Sequence, residues 1–317
     1  MYIYAGEALA RYGFGEGHPL GPDRFYAFWD AFQSSDLKTK VTIREPVQGQ
    51  EVDALLFHTA EYVQRVRDLS DIGEGMLDSD TPVIPGIFKI ALTVVGTVLD
   101  AVDQIMHGHT AQAFVPIAGL HHASRTASAG FCVFNDCGIA IEALRQRYAI
   151  KRILYVDIDA HHADGVFYAF ENDPEMFFID THEDGRYLYP GTGATKETGK
   201  GEARGTKLNI PLPPGATDEI FFSNWSRMTA FMEQHQPEFV ILQCGADSLA
   251  GDPITHLQFS SEVHFQTAKM IAKYANTYCC GRVLALGGGG YNHNNIANAW
   301  VASIRGLVTH QPDDSHN

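Results

Sequence analysis

The chain contains no long apolar run. Its longest candidate, Ile84 to Val102, carries Lys89 and Asp100, and a membrane-spanning helix needs roughly 20 apolar residues. That stretch is instead predicted to form an amphipathic or buried helix. Cysteine is scarce as well: Cys132, Cys137, Cys244, Cys279 and Cys280 are an odd set without a two-residue-spaced pair. This argues against both a disulfide framework and a thiolate zinc site, and predicts reduced, mostly buried thiols. Basic residues are outnumbered, 23 Lys and Arg against 38 Asp and Glu, for a net charge of −15. Nucleic-acid binding rests on many cation–phosphate contacts, so no nucleic-acid partner is expected, whereas a basic or cationic partner suits the surface. Linkers, low-complexity tracts and fixed-period repeats are absent too, so the 317 residues read as one domain. Met1 to Ala5 runs straight into polar, Gly-rich sequence with no secretory h-region, which leads us to expect a cytoplasmic protein without a membrane partner.

What is present is a globular composition, 45% hydrophobic, organised in alternation. Short apolar, β-branched runs occur at Tyr2 to Tyr4, Ala113 to Val115, Arg152 to Ile158, Met176 to Ile179, Leu208 to Ile210, Phe239 to Gln243 and Val283 to Leu286. They predict buried parallel strands. Helical periodicity lies between them, at Asp136 to Tyr148, Asp218 to His235, Ser260 to Thr277 and Asn294 to Val308. The alternation predicts an α/β fold with a central parallel sheet covered by helices on both faces.

In such sheets ligands bind beyond the carboxyl ends of the strands, so the residues after each run are informative. One run leads into Asp157, Asp159, His161, His162 and Asp164; others lead into Asp247, into Gly287 to Gly290 with Tyr291, and into His121 and His122. Asp159 and His161 would project to one side if strand geometry persists there, and Asp247 adds a second carboxylate. This set suits Zn²⁺ or Fe²⁺ and leaves positions open for water and substrate, as a catalytic site requires. An Asp/His cluster that merely caps a helix would need only one of these groups. His121 and His122 can exchange protons if each is oriented by a carboxylate, and Asp157 and Asp164 are the acids to do it. The glycine run allows Tyr291 to approach the centre, where its phenol can stabilise an oxyanion. No Gly-Lys-Ser/Thr follows Gly290, so the run is not a phosphate loop.

These segments resemble a known family. Gly119 to Ala123 (GLHHA), Gly130 to Cys132 (GFC), Asp157 to His162 (DIDAHH), Tyr189 to Gly193 (YPGTG), Gly245 to Ser248 (GADS) with Gly251 to Pro253, and Gly287 to Tyr291 are similar in order and spacing to the histone deacetylase superfamily, in its bacterial, AcuC-like and class I-like branch. The resemblance implies the arginase/deacetylase fold with an eight-stranded-type sheet. It also implies amide hydrolysis of an acylated lysine in a peptide or protein. Position by position, it makes Asp159, His161 and Asp247 zinc ligands, His121 and His122 the tandem histidines with Asp157 and Asp164 behind them, and Tyr291 the catalytic tyrosine. Gly130, Phe131 and Tyr189 become walls of an acyl-lysine tunnel, Asp80 a rim aspartate binding substrate backbone, and Arg24 part of an internal acetate-exit channel. A potassium ion is implied near Asp157, Asp159 and His161, where Asp180 stands in place of a common serine.

Two relatives of that chemistry are set against this reading. Arginase-type ureohydrolases bind two metals, but their second ligand positions are occupied here by Ala163 and Leu249. Acetylpolyamine amidohydrolases tend to place an acid after the Asp-Pro pair, where this chain has Ile254, which favours an acyl-lysine over a small acylated amine. Asp71, Glu74, Asp78 and Asp80 nonetheless make the rim loop acidic, as a cationic amine would require, although a solvated loop reads the same way. A non-catalytic reader of acyl-lysine would be signalled by a missing tyrosine or ligand, and none is missing.

Overall fold

A computed structural model describes residues 1–15 and 17–309. Eight strands form one all-parallel sheet: β1 (Tyr2–Tyr4), β2 (Thr42–Arg44), β3 (Gln112–Val115), β4 (Ile153–Asp157), β5 (Met176–Glu183), β6 (Lys207–Leu212), β7 (Phe239–Gln243) and β8 (Val283–Leu286). Their order across the sheet is β2-β1-β3-β8-β7-β4-β5-β6. The central strands are buried along their whole length, as sequences such as FVILQ and VLAL require when helices cover both faces.

Seven strands lie where the apolar runs place them. The eighth, β2, is a short, largely exposed edge strand, and its Thr-Ile-Arg sequence carries no apolar run to announce it. β5 extends past Ile179 through Asp180, Thr181, His182 and Glu183, all buried. Polar side chains inside a buried strand are invisible to a hydrophobicity criterion, and here they are satisfied by one another and by neighbouring loops. The single helix expected over Asp218 to His235 is two, Asp218–Ser223 and Trp225–His235, joined at Asn224.

The helices pack in two groups. Ser261–Tyr278, His293–Val308 and Asp23–Gln33 lie together, and Ile87–Met106 packs with Asp136–Tyr148 and Ala60–Ile72. Ile87–Met106 is the helix expected from the long apolar stretch, and most of its residues are buried. No described helix is long and apolar enough to cross a membrane.

The strand order positions the site. β7 and β8 return to the middle of the sheet, between β3 and β4, so β3, β8, β7 and β4 are consecutive neighbours. Their carboxyl ends therefore open side by side.

Candidate active site

The tandem histidines follow β3, on a segment tied down by the start of the helix Asp136–Tyr148. The Asp136 carboxylate accepts the Gly119 and Leu120 N–H groups at 2.8 and 3.2 Å. Asn135 caps the helix by accepting from Gly138 N–H at 2.8 Å, and its amide donates to the His121 and Ala123 carbonyls at 3.2 and 2.8 Å. One polar dipeptide thus satisfies the helix terminus and the loop that carries the histidines.

Each imidazole is backed by its own carboxylate. His121 Nδ1 lies 2.8 Å from Asp157 Oδ2, and His122 Nδ1 lies 2.7 Å from Asp164 Oδ1. The two Nε2 atoms face each other at 3.1 Å. Their surroundings drive them apart. Burial opposes charge on His121, but Asp157 and Asp159 outweigh it and push its pKa up to about 9. Burial and the neighbouring His121 charge push His122 down to about 4, against the pull of Asp164. His121 is therefore the charged member and His122 the neutral one, with a lone pair on His122 Nε2 that faces the protonated His121 Nε2.

Asp159, His161 and Asp247 converge with one ligand atom each, all within 4.8 Å of one another. They are the only such group among the described residues, which fits one metal rather than two. β4 ends at Asp157, so the shared direction of Asp159 and His161 does not come from continued strand geometry as expected. Hydrogen bonds fix it instead. Asp159 N–H donates to Asp157 Oδ1 at 2.9 Å, His161 N–H to Asp159 Oδ1 at 3.0 Å, and Ala160 N–H to Asp247 Oδ1 at 2.8 Å. His161 Nδ1 sits between the carboxylates, 3.0 Å from Asp159 and 3.1 Å from Asp247. Burial and the Asp159 charge push Asp247 up to about 7. Two buried carboxylates around one imidazole form a donor set that a divalent cation would neutralise, and the residues fit Zn²⁺ or Fe²⁺.

Tyr291 enters on the loop after β8. A Cβ on Gly289 would collide with Asp247 and come within 2.8 Å of Asp159 Oδ2, so only glycine lets this backbone pass the Asp-His-Asp cluster. Gly289 N–H donates to Asp159 at 2.8 Å, and Tyr291 N–H to Asp252 at 2.9 Å. Burial, with Asp247 nearby, pushes the phenol well above its ordinary pKa, which keeps it a hydrogen-bond donor. Arg24 is buried behind this loop, donating to the Gly290 and Gly288 carbonyls at 2.8 and 2.6 Å. Its guanidinium lies 5.8 Å from the Tyr291 ring centroid. Arg24 is thus a strut for the Tyr291 loop, and one of its nitrogens, Nη1, has no hydrogen-bond partner.

A cavity of 260 Å³ leads in from the surface, lined by Asp80, His122, Gly130, Phe131, His161, Leu188, Tyr189, Ile254 and Tyr291. Every residue expected at the tunnel or its rim is among them. It continues into a cavity of about 20 Å³ bounded by His121, Asp159, Leu20, Leu120 and Cys132. His122, His161 and Tyr291 border both spaces, whereas His121 borders only the inner one. A Cβ on Gly130 would collide with the His122 ring, so the wall beside the histidine must be glycine.

Asp180, which stands in place of the common serine, is engaged by partners of its own. Its Oδ1 lies 2.7 Å from His182 Nδ1, and its Oδ2 accepts the Ala163 N–H at 2.8 Å. His182 Nε2 faces the Gly193 carbonyl at 3.0 Å, so both its nitrogens meet acceptors and the ring is held as an imidazolium. Burial opposes that charge, but Asp180 raises the His182 pKa. The additional carboxylate thus arrives with its own counter-charge.

Three supporting residues are given no role by the sequence, although Asp252 lies within the Gly251 to Pro253 motif. Gln243 donates to Asp159 Oδ2 at 2.9 Å and accepts from Gly245 N–H at 2.7 Å, and the Tyr155 hydroxyl donates to Asp157 Oδ2 at 2.6 Å. Asp252 holds Tyr291. Gln243 is the last residue of a buried strand, and its role follows from its register with Asp157.

Residues 18–307 match the model of the histone deacetylase domain. The chain is 34% identical to acetoin utilization protein AcuC of Bacillus subtilis, over 95% of this chain and 80% of that protein. It is 30% identical to probable histone deacetylase 19 of Zea mays, over 96% of this chain but only 60% of that longer relative. The solved HDA15 HD domain superposes with a TM-score of 0.89 at 25% identity, covering 97% of this chain and 88% of that one. With the sheet order, the Asp-His-Asp convergence and the paired histidines already in place, a match of this extent assigns the fold and the kinship together: the chain belongs to the histone deacetylase family.

Proposed function

We propose that this chain is a metal-dependent amidohydrolase that removes acetyl or related acyl groups from the ε-amine of lysine in peptides or proteins. The observation that carries this reading is that a neutral, carboxylate-backed imidazole, a phenol and the imidazole of an Asp-His-Asp donor set all border one narrow tunnel. Asp159, His161 and Asp247 would hold a zinc-class ion, which supplies Lewis acidity to the amide carbonyl and acidity to water. His122 takes the proton of the attacking water at Nε2 and returns it to the leaving amine nitrogen, with Asp164 holding its Nδ1–H. His121 keeps its proton and contributes positive charge beside the developing anion. Tyr291 donates its hydroxyl hydrogen to the oxyanion. Phe131, Tyr189 and Ile254 exclude water along the methylene stem, and Asp80 at the rim accepts substrate N–H groups. A potassium ion near Asp157, Asp159 and His161 is part of the same proposal, and no step depends on it.

Acetylated polyamines are the second reading, and the acidic rim bears on it. Asp78 accepts the Asp80 and Thr81 N–H groups, both at 2.8 Å, and so serves the turn rather than a substrate ammonium. Ile254 borders the tunnel where an acid would be needed. Turnover by the metal-replete protein on acyl-lysine peptides of increasing acyl length, beside acetylated polyamines, is the test. Preference for acetyl-lysine peptides supports the proposal; preference for the polyamines transfers it to the second reading; no turnover on either refutes hydrolysis.

A further inference from the structure

Phe131, a wall of the tunnel, has a backbone that its own side chain disfavours. Ala129 to Cys132 make a turn closed by Cys132 N–H donating to the Ala129 carbonyl at 2.9 Å. Its central residues Gly130 and Phe131 have φ of 54° and 66°. Two consecutive left-handed residues define a type I′ turn, whose central positions favour Gly, Asn and Asp. Gly130 suits that geometry, but Phe131 must be held in it by something outside the turn.

The outside group is the hydroxyl of Tyr12. It donates to the Phe131 carbonyl at 2.8 Å and accepts from the Val133 N–H at 3.0 Å, bridging the peptide groups on either side of Cys132. Tyr12 is 1% exposed, so water offers no substitute for this hydroxyl. The ring it secures meets His18 at 4.6 Å and Tyr291 at 6.0 Å between centroids. The turn's orientation therefore sets the tunnel width beside the catalytic phenol.

We propose that Tyr12 is a positioning residue of the tunnel: its hydroxyl clips Phe131 into the left-handed conformation that aims the ring at the substrate stem. The inference rests on the reading of this tunnel as an acyl-lysine site. Tyr12 borders neither cavity, so it acts through Phe131 on stem binding and leaves the chemical groups untouched.

The test is Tyr12→Phe, alone and combined with Phe131→Gly, with kinetics on an acetyl-lysine peptide. The single substitution is expected to raise KM at least about fivefold with kcat within about twofold, a split that general loss of stability does not produce. In the Phe131→Gly background the turn needs no clip, and Tyr12→Phe is expected to change KM less than about twofold. An unchanged KM in the single variant, or effects that multiply in the double, overturns the proposal. A second readout is independent of substrate: exchange of the Val133 amide hydrogen is expected to accelerate about tenfold in Tyr12→Phe while helix Asp136–Tyr148 keeps its protection. Undiminished Val133 protection also overturns it. A wild-type protein inactive on every acyl-lysine peptide defeats the functional reading instead, and the exchange measurement then decides the clip by itself.

Discussion

Replacing Asp164 by asparagine separates charge from orientation at the proposed proton-transfer histidine. The carboxylate lies 2.7 Å from His122 Nδ1 and is mostly shielded from water, while His122 itself is buried. The amide oxygen of Asp164→Asn can still accept that N–H, so the reactive Nε2 keeps its lone pair and its direction. What vanishes is the negative charge that stabilises the imidazolium formed after proton uptake. An adjacent opposite charge is worth about 1–3 pKa units. That corresponds to about 1.4–4 kcal/mol, or roughly 10- to 10³-fold in kcat if the imidazolium is well developed in the transition state. His122 is already held near 4 by burial and by His121. The variant therefore has no more neutral base to offer at neutral pH, and the loss is expected in kcat across the whole profile rather than as a displaced acid limb. The assay is kcat and kcat/KM against pH on an acetyl-lysine peptide, with metal content measured in parallel. A kcat within about threefold of wild type at equal metal content would refute the role given to the His122–Asp164 pair.

Tyr291→Phe is expected to lower kcat at least about 10²-fold while substrate binding persists, measured as turnover beside equilibrium binding of the same peptide. Gly130→Ala places a methyl into the His122 ring, and is expected to cost at least about tenfold in kcat/KM, measured on protein shown to be folded, since the histidine must swing from Asp164 to make room. Stripping divalent metal with a chelator is expected to abolish turnover and lower the unfolding temperature, and re-adding Zn²⁺ or Fe²⁺ to restore both, because the Asp159–Asp247 repulsion returns when the ion leaves. Acid sensitivity has an identifiable source outside the site. Burial holds His58 near 3, against 6.5 in the unfolded chain, and its Nε2 accepts the Asn135 N–H at 2.9 Å. The unfolded state therefore binds the additional proton between those values, and stability falls by up to about 1.4 kcal/mol per pH unit as pH drops below 6.5. His58→Gln is expected to flatten that slope in denaturant titrations between pH 4 and 7.

Much of this site is legible in the sequence because the parallel sheet puts chemistry at a place that can be counted to. Asp159, His161, Asp247, the His121–His122 pair and Tyr291 all stand within a few residues of an apolar run's end, and the structure brings them together. What escapes is whatever depends on which strand lies beside which. Gln243 reads as the end of a core strand until its register with Asp157 is known. Tyr155 reads as core until its hydroxyl meets Asp157. The Asp180–His182 pair sits inside β5, where polarity looks like the end of a strand. Arg24 and Tyr12 lie in the amino-terminal segment, and only tertiary structure carries them to the Tyr291 loop and the Phe131 turn.

The strand order also explains how so many acids coexist at one sheet end. In register across three neighbouring strands stand Asp180, Asp157 and Gln243, so the row alternates partners instead of stacking bare charges. Asp180 is neutralised by His182 and Asp157 by His121, while β7, the strand that leads to Asp247, ends beside Asp157 in the uncharged Gln243. Burial pushes Asp157 only up to about 6, because His121 pulls it back. Asp159 and Asp247 alone face each other across a single imidazole. The uncompensated negative charge is thereby concentrated at the one point where a divalent cation can be bound by three ligands and still face the tunnel. If the order of β7 and β8 were exchanged, Gln243 would no longer lie beside Asp157. The catalytic geometry proposed here is thus a property of the sheet's topology as much as of the motifs themselves.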